Sequence, residues 1–344
     1  MPKVDVLELR KNIFWVREDI PLVGHVAFGI IDRGTNLLQI RPSSLCSLSC
    51  IFCSVDAGPT SKRRITEYIV SLKHLVGWIE EVIKTKELDS AQAHIDAVGD
   101  PLTYPHIVEL VKQLSNMEKV DVVSLETHGA LLTRDLVERL DEAGLSRLNL
   151  SIDAMDPELA RKLSNTPWFD LNRVLEIAEY IASSLRMDLM ITPVWVPGIN
   201  DNEIPKIIEY ALRIGAGKRW PPLGIQKYEA HKYGRKPKGV KPMRWYEFYN
   251  RLRKWESIYG VKLVLSPKDF GIRKSKRLPL VYRRFERASV IVKGHGWLRG
   301  QWLAVGRDRA LTVVGIENDP PIGRKITVKI LRNKDNIYVA EPVY

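Results

Sequence analysis

Between residues 36 and 228 the chain alternates short apolar runs with longer stretches in which apolar residues recur every three or four positions. The short runs, at 36–40, 93–98, 120–126, 147–152, 187–194 and 223–228, read as strands. The longer ones, at 67–86, 105–117, 133–143, 157–163, 172–184 and 202–214, read as helices, the first with Ile69, Leu72, Leu75, Val76, Ile79 and Val82 on one stripe. Six β units joined by helices predict an α/β domain with a parallel sheet and right-handed crossovers. Ahead of it, 1–35 reads as a strand-rich lead-in, with short strands at 3–9, 13–16 and 24–31. Behind it, 231–286 reads as a linker holding a helix at 244–259 and a strand at 261–265. The last part, 287–344, loses helical periodicity. Five short runs, at 288–292, 301–305, 310–316, 325–330 and 337–340, predict a small all-β closed barrel.

Composition adds a direction to this outline. With 344 residues, 45% of them hydrophobic, the chain is long enough for two or so domains and a substantial core. No run of eighteen apolar residues occurs and the first ten residues are charged, so a cytoplasmic protein with no membrane segment is expected. Net charge is +12, yet between Lys227 and Arg287 nineteen Lys or Arg face five Asp or Glu, which leaves the remainder of the chain at −2. The linker therefore carries the basicity. Lys232, Arg235, Lys236, Lys238, Lys241, Arg273, Lys274, Lys276 and Arg277 are its candidate contacts to a polyanion, with Tyr233, Trp245, Tyr246, Phe248 and Tyr249 interleaved as bases for stacking. The competing account is the ion-pair-rich surface of a thermophile, but such networks need both signs.

Cys46, Cys50 and Cys53 are the only cysteines, all within eight positions. An odd count argues against disulfides, and clustering argues for a metal site. Three thiolates with one His, His74 or His94, would make a zinc site. Three thiolates at Cys-x3-Cys-x2-Cys spacing would also hold three irons of a [4Fe–4S] cluster and leave the fourth iron open.

That spacing, with Phe52 just before the last Cys, resembles the radical S-adenosylmethionine (SAM) superfamily. The resemblance implies a partial (β/α)6 barrel and SAM bound to the open iron, where one electron releases a 5′-deoxyadenosyl radical. It also directs attention to the strand ends. Val98-Gly99-Asp100-Pro101 is similar to the family's Gly-Gly-Glu-Pro element for the SAM amino group, with Val98 and Asp100 departing from it. Thr127-His128-Gly129 is similar to a Thr-Asn-Gly turn, and Asn149, Ser151 and Asp153 match the residues that hold the ribose and carboxylate. Val194, Pro197 and Ile199 belong to a loop expected against adenine, in which Asn200 or Asp201 also suits a helix N-cap. Gln226, Lys227 and Tyr228 fall on the substrate side, and no catalytic residue is identified.

The C-terminal run Gly-Arg-Lys325-Ile-Thr-Val-Lys-Ile330 resembles the RNA-binding TRAM domain, so the whole layout is similar to the tRNA methylthiotransferases. Those enzymes carry a second cluster on three further cysteines, and the rRNA adenosine methylases of the superfamily use two further ones; neither set is present here. The expectation is direct hydrogen abstraction from a nucleoside in tRNA, or second in rRNA, with an electron donor such as a ferredoxin as a further partner. Alternatives are a peptide or small-metabolite substrate, or an RNA-binding protein with a structural or redox-sensing cluster.

Overall fold

A computed structural model describes residues 11–316 and 322–343; the strand expected at 3–9 lies outside them. The lead-in supplies β1 (Asn12–Val16) and β2 (Gly29–Asp32), followed by β3 (Leu37–Arg41), β4 (Thr66–Val70) and α1 (Leu72–Thr85). Next come β5 (Ala91–Ile95), α2 (Ile107–Ser115), β6 (Val120–Thr127), α3 (Arg134–Glu142), β7 (Arg147–Leu150), α4 (Pro157–Ser164) and α5 (Leu171–Ser184). β8 (Asp188–Ile191), β9 (Val194–Trp195), α6 (Glu203–Arg213), β10 (Gln226–Lys227) and α7 (Trp245–Tyr259) complete this part. Side chains mark several helix starts: Thr133, Asp156 and Asp170 accept from the first-turn amides of α3, α4 and α5.

The main sheet runs β2-β3-β5-β6-β7-β8. β2 is antiparallel to β3 at one edge, and β3, β5, β6, β7 and β8 are parallel to their neighbours. All five parallel strands therefore deliver their following loops to the same end of the sheet, where α/β proteins build sites. The sixth expected strand, 223–228, is shorter and displaced. Leu223 bridges Ile191 in parallel, Gln226–Lys227 pairs with Val194–Trp195, and this ladder stands apart from the main sheet.

Three other expectations change. Residues 67–70 belong to a strand, because Thr66-Glu-Tyr-Ile-Val70 pairs in parallel with β1, and the helix starts only at Leu72. The stretch 261–265 is not a strand; Leu263 and Val264 donate to the Glu256 carboxylate at 2.8 and 2.9 Å, so a side chain takes the place of a partner strand. Neither Asn200 nor Asp201 caps α6, whose N-cap is Asn202. Asn200 instead accepts from Val196 N and donates to the carbonyls of Asp153 and Val194, and Asp201 accepts from the Trp195 indole at 3.0 Å.

The C-terminal strands β11 (Arg287–His295), β12 (Gln301–Gly306), β13 (Arg309–Val314), β14 (Lys325–Arg332) and β15 (Val339–Pro342) close into a barrel in the order β11-β12-β13-β15-β14. Alternate residues of β11, Ala288, Val290 and Val292, point into a core that also holds Tyr282, Ala304, Leu311, Val328, Ile330 and Tyr338. The barrel seats on the lead-in: Ala310 N donates to Val23 O and Tyr338 N to Gly24 O, both at 2.9 Å. A Cβ on Gly24 would stand 2.1 Å from Ala310 O, so only glycine permits this approach. Among the described residues, no helix is long and apolar enough to cross a membrane.

The basic linker is split by this architecture. Residues 231–241 lie at the site end of the sheet, where Gly234 and Arg235 touch the cysteine loop. Residues 273–277 lie at the opposite end, where Asn36, just before β3, pairs with Arg273 and Thr35 bridges Lys274. There Lys276 ion-pairs with Glu87 and lends its carbonyl to Lys86, while Arg277 packs over Gly34. The nine candidate residues thus fall at opposite ends of β3, those of 232–241 at the site end and those of 273–277 at the other.

Lys86 and Asp32 form an ion pair of 2.6 Å with both side chains almost fully buried, and Asp32 also accepts from Gly34 N and Leu278 N. Removing one partner strands the other charge, so Lys86→Met should destabilise the fold by about 3–5 kcal/mol, read as a lower midpoint in urea. His25 offers a pH signature. It stacks on Phe28, its Nδ1 accepts from Ala27 N, its Nε2 has no partner among the described residues, and burial pushes its pKa down to about 3. Below the ordinary value of 6.5 the unfolded chain binds a proton that the fold refuses, so stability contributed by neutral His25 should fall as pH drops from about 6.5 toward about 3. His25→Leu should remove that part of the slope in melts across this range.

Candidate active site

The loop from Pro42 to Ile65 has almost no regular structure, so its buried carbonyls need donors from elsewhere. Two arginines provide them. Arg64, fully buried, donates to Ser44 O at 2.8 Å, Val55 O at 3.1 Å and Val98 O, and is held by Glu67 at 3.3 Å and by the Trp297 ring at 4.6 Å. Arg235 donates to Cys50 O at 3.0 Å and to Ala57 O, and pairs with Asp56 at 2.9 Å. Backbone bonds add to the frame: Ser49 N and Ile51 N donate to Ser164 O and Leu163 O at the end of α4, and Asp100 N to Leu45 O. Gly58 and Gly99 are required by contact, since a Cβ would meet Leu48 O at 1.6 Å and Leu45 O at 1.9 Å respectively.

So held, Cys46, Cys50 and Cys53 remain free thiols lining one cavity of about 380 Å³. Among the described residues, no three His, Cys, Asp or Glu side chains come together closely enough to hold a single metal ion. The three thiols face a shared cavity that neither His74 nor His94 lines: His74 bonds Ile20 O and His94 lies on β5 against Ser124. Burial pushes the Cys46 thiol up to about 12 and raises Cys50 too.

Phe52, Gly99, His128, Ser151 and Val194 line the same cavity, as do Gln226, Lys227 and Tyr228. Ser151 donates to Thr192 O at 2.9 Å, and His128 Nδ1 lies 3.5 Å from the Asp153 carboxylate. Other expected cofactor contacts stand behind the wall. Asp100 accepts from the Thr127 hydroxyl at 2.8 Å, from Leu102 N and from His128 N; it is a buried brace between two strand ends, with its pKa raised by burial. Thr127 is spent on that brace and Pro101 starts the short turn beyond it. Asn149 accepts from Arg147 Nε at 2.8 Å, deeper in the sheet. Asp153 accepts from Val194 N at 2.8 Å, and Pro197 and Ile199 are outside the lining.

Four polar lining residues are not among those the sequence marks as site residues: Ser54, Glu126, Glu229 and His231. Glu126 was in plain view beside Thr127, and its inward direction follows from strand alternation along β6. Burial would raise its pKa, but His94, Gln226 and His128 outweigh burial and hold it below the usual carboxylate value. Gln226 Nε2 donates to it at 3.0 Å, and His94 Nε2 is 3.5 Å away. Across the mouth Lys227 pairs with Glu229 at 2.6 Å and lies 4.7 Å from the Trp245 ring centre. The cavity thus has a thiol-rich side with backbone and small polar groups, and a second side carrying an anionic carboxylate and an ion pair.

Residues 40–211 match the Radical SAM superfamily. The chain is 41% identical over 353 residues to the uncharacterized protein MJ0103 of Methanocaldococcus jannaschii, covering 97% of this chain and 81% of that one. It is 31% identical over 188 residues to a GTP 3′,8-cyclase of Alkaliphilus oremlandii, covering 53% of this chain and 54% of the cyclase, so it spans only about half of that relative. A crystal structure of a radical SAM methyltransferase from Sphaerobacter thermophilus shares the fold with a TM-score of 0.51 at 11% identity, covering 67% of this chain and 65% of that one. The match covers the thiol loop and the parallel strands that shape the cavity, and the chain belongs to the radical SAM superfamily, whose enzymes work with a [4Fe–4S] cluster and SAM.

Proposed function

We propose that this protein is a radical SAM enzyme that abstracts hydrogen from a nucleoside in RNA, with tRNA the first candidate and rRNA the second. The observation that carries the reading is the basic arm at the cavity mouth. His231 lines the cavity, and exposed Lys232, Lys236, Lys238 and Lys241 follow it directly, with exposed Lys62 and Arg63 on the facing loop. Tyr233 lies between two cations, 5.2 Å from Lys232 and 5.8 Å from Arg63, an arrangement suited to phosphate contacts beside a stacking ring. The closed five-strand barrel, similar in its last strands to TRAM domains, is a second RNA-binding element under this reading. A free nucleotide is the second reading, favoured by the similarity to a GTP 3′,8-cyclase.

In this reading Cys46, Cys50 and Cys53 hold the cluster, and Gly99, His128, Ser151 and Val194 bound the SAM pocket, with Asp100, Thr127 and Asp153 fixing those walls from behind. Bound together, the cluster and SAM supply a 5′-deoxyadenosyl radical. The chain's own task is to keep the thiol side dry, with Leu48, Phe52 and Val98 around the sulfurs, and to present a C–H bond from the side of Glu126 and Lys227.

Anaerobically reconstituted protein given SAM and dithionite should form 5′-deoxyadenosine, and Cys50→Ala should form none above background. Adding tRNA from a strain lacking the gene should raise turnover and produce a new nucleoside by mass spectrometry. Turnover coupled to GTP but not to tRNA would transfer the assignment to the second reading. In filter binding, replacing Lys232, Lys236, Lys238 and Lys241 by Ala should weaken tRNA affinity and flatten its salt dependence by about 0.7–0.9 in slope per lost phosphate contact. An unchanged slope would show that the arm does not meet the RNA.

A further inference from the structure

Arg235 was expected on the basic surface, yet its side chain is only 16% exposed and reaches 178 to 185 residues back along the chain. All three of its nitrogens are engaged on the thiol loop: Nε with Asp56, Nη1 with Cys50 O and Nη2 with Ala57 O. Its own amide donates to Cys53 O at 2.8 Å. The neighbouring residue explains how the arm comes so close, since a Cβ on Gly234 would stand 2.7 Å from Ser54 O and 2.8 Å from Cys53 O. Asp56 is itself a hub, accepting from Ser61 Oγ and from the amides of Lys62 and Arg63. A guanidinium spreads five donors over three nitrogens of a rigid planar fork, so it can reach these three separated acceptors at once while keeping a permanent charge.

We propose that Arg235 is a positioning residue for the cluster: it fixes the backbone of Cys50 and Cys53 against the substrate-side arm and holds a positive charge beside the thiolate side of the cavity. The inference rests on family membership and not on the RNA reading. Two consequences follow from electrostatics. Reduction adds one negative charge to the cluster, so a nearby cation favours the reduced form and a nearby lone carboxylate opposes it. Removing Arg235 leaves Asp56 uncompensated, whereas removing the Asp56 charge leaves Arg235 uncompensated.

The test is a redox titration of the reconstituted full-length protein, followed by electron paramagnetic resonance, with iron and sulfide counted for each variant. Arg235→Gln should retain the cluster but make one-electron reduction at least tenfold less favourable, a shift of about 59 mV to more negative potential. Asp56→Asn should shift it in the opposite direction. Arg235→Lys, which keeps charge but not the fork, should restore most of the potential while altering the resonance line shape. Arg284→Gln, on the outer barrel surface, controls for general loss of positive charge and should leave the potential unchanged. If Arg235→Gln fails to load iron, Asp56→Asn decides the matter. An unchanged or more negative potential in Asp56→Asn, or an unchanged potential in loaded Arg235→Gln, overturns the proposal.

Discussion

A long irregular loop at the heart of a protein must find partners for its carbonyls, and here those partners are two guanidinium groups. Arg64 ties Ser44, Val55 and Val98 together from inside, and Arg235 ties Cys50 and Ala57 from the mouth. Each arrives with an acid, Glu67 for one and Asp56 for the other, so the charges enter the interior as pairs. Without them the loop would expose or strand its polar backbone, and the three thiols would have no common cavity to face.

The C-terminal barrel is part of this support. Trp297 lies on the Arg64 guanidinium, Ile65 N donates to Trp297 O, and the Tyr68 hydroxyl donates to His295 O. The barrel has its own core, but Trp297, Leu298, Leu303 and Ala310 are packed into the main one. Thus the lead-in, β4 and the barrel form a brace behind the thiol loop. This assigns a use to the lead-in that its sequence did not suggest: β1 recruits Thr66–Val70 as a strand, and Gly24 receives the barrel edge.

The parallel strands convert spacing in sequence into convergence in space. Cys46, Gly99, His128, Ser151 and Val194 follow five different strands, and parallel pairing brings them to one cavity. The same strands separate other residues that sequence had grouped. Arg273 to Arg277 are near Lys241 in charge pattern but at the far end of β3, where they seal Asn36, Lys86 and Gly34.

The cysteine spacing, the strand and helix alternation and the five short terminal runs are local patterns, set by period and residue type, and these the amino-acid order determined by itself. It also displayed the residues at strand ends. What it did not determine was which of them face inward unaided. Asp100 and Thr127 look like ligands in sequence and are a mutual brace in the fold, while Glu126, one position before Thr127, points into the cavity. Arg235 reads as one cation among many and proves to be tied to Asp56, 179 positions away. Such assignments depend on which buried carbonyls and carboxylates lack partners, and that is known only once distant segments have packed together.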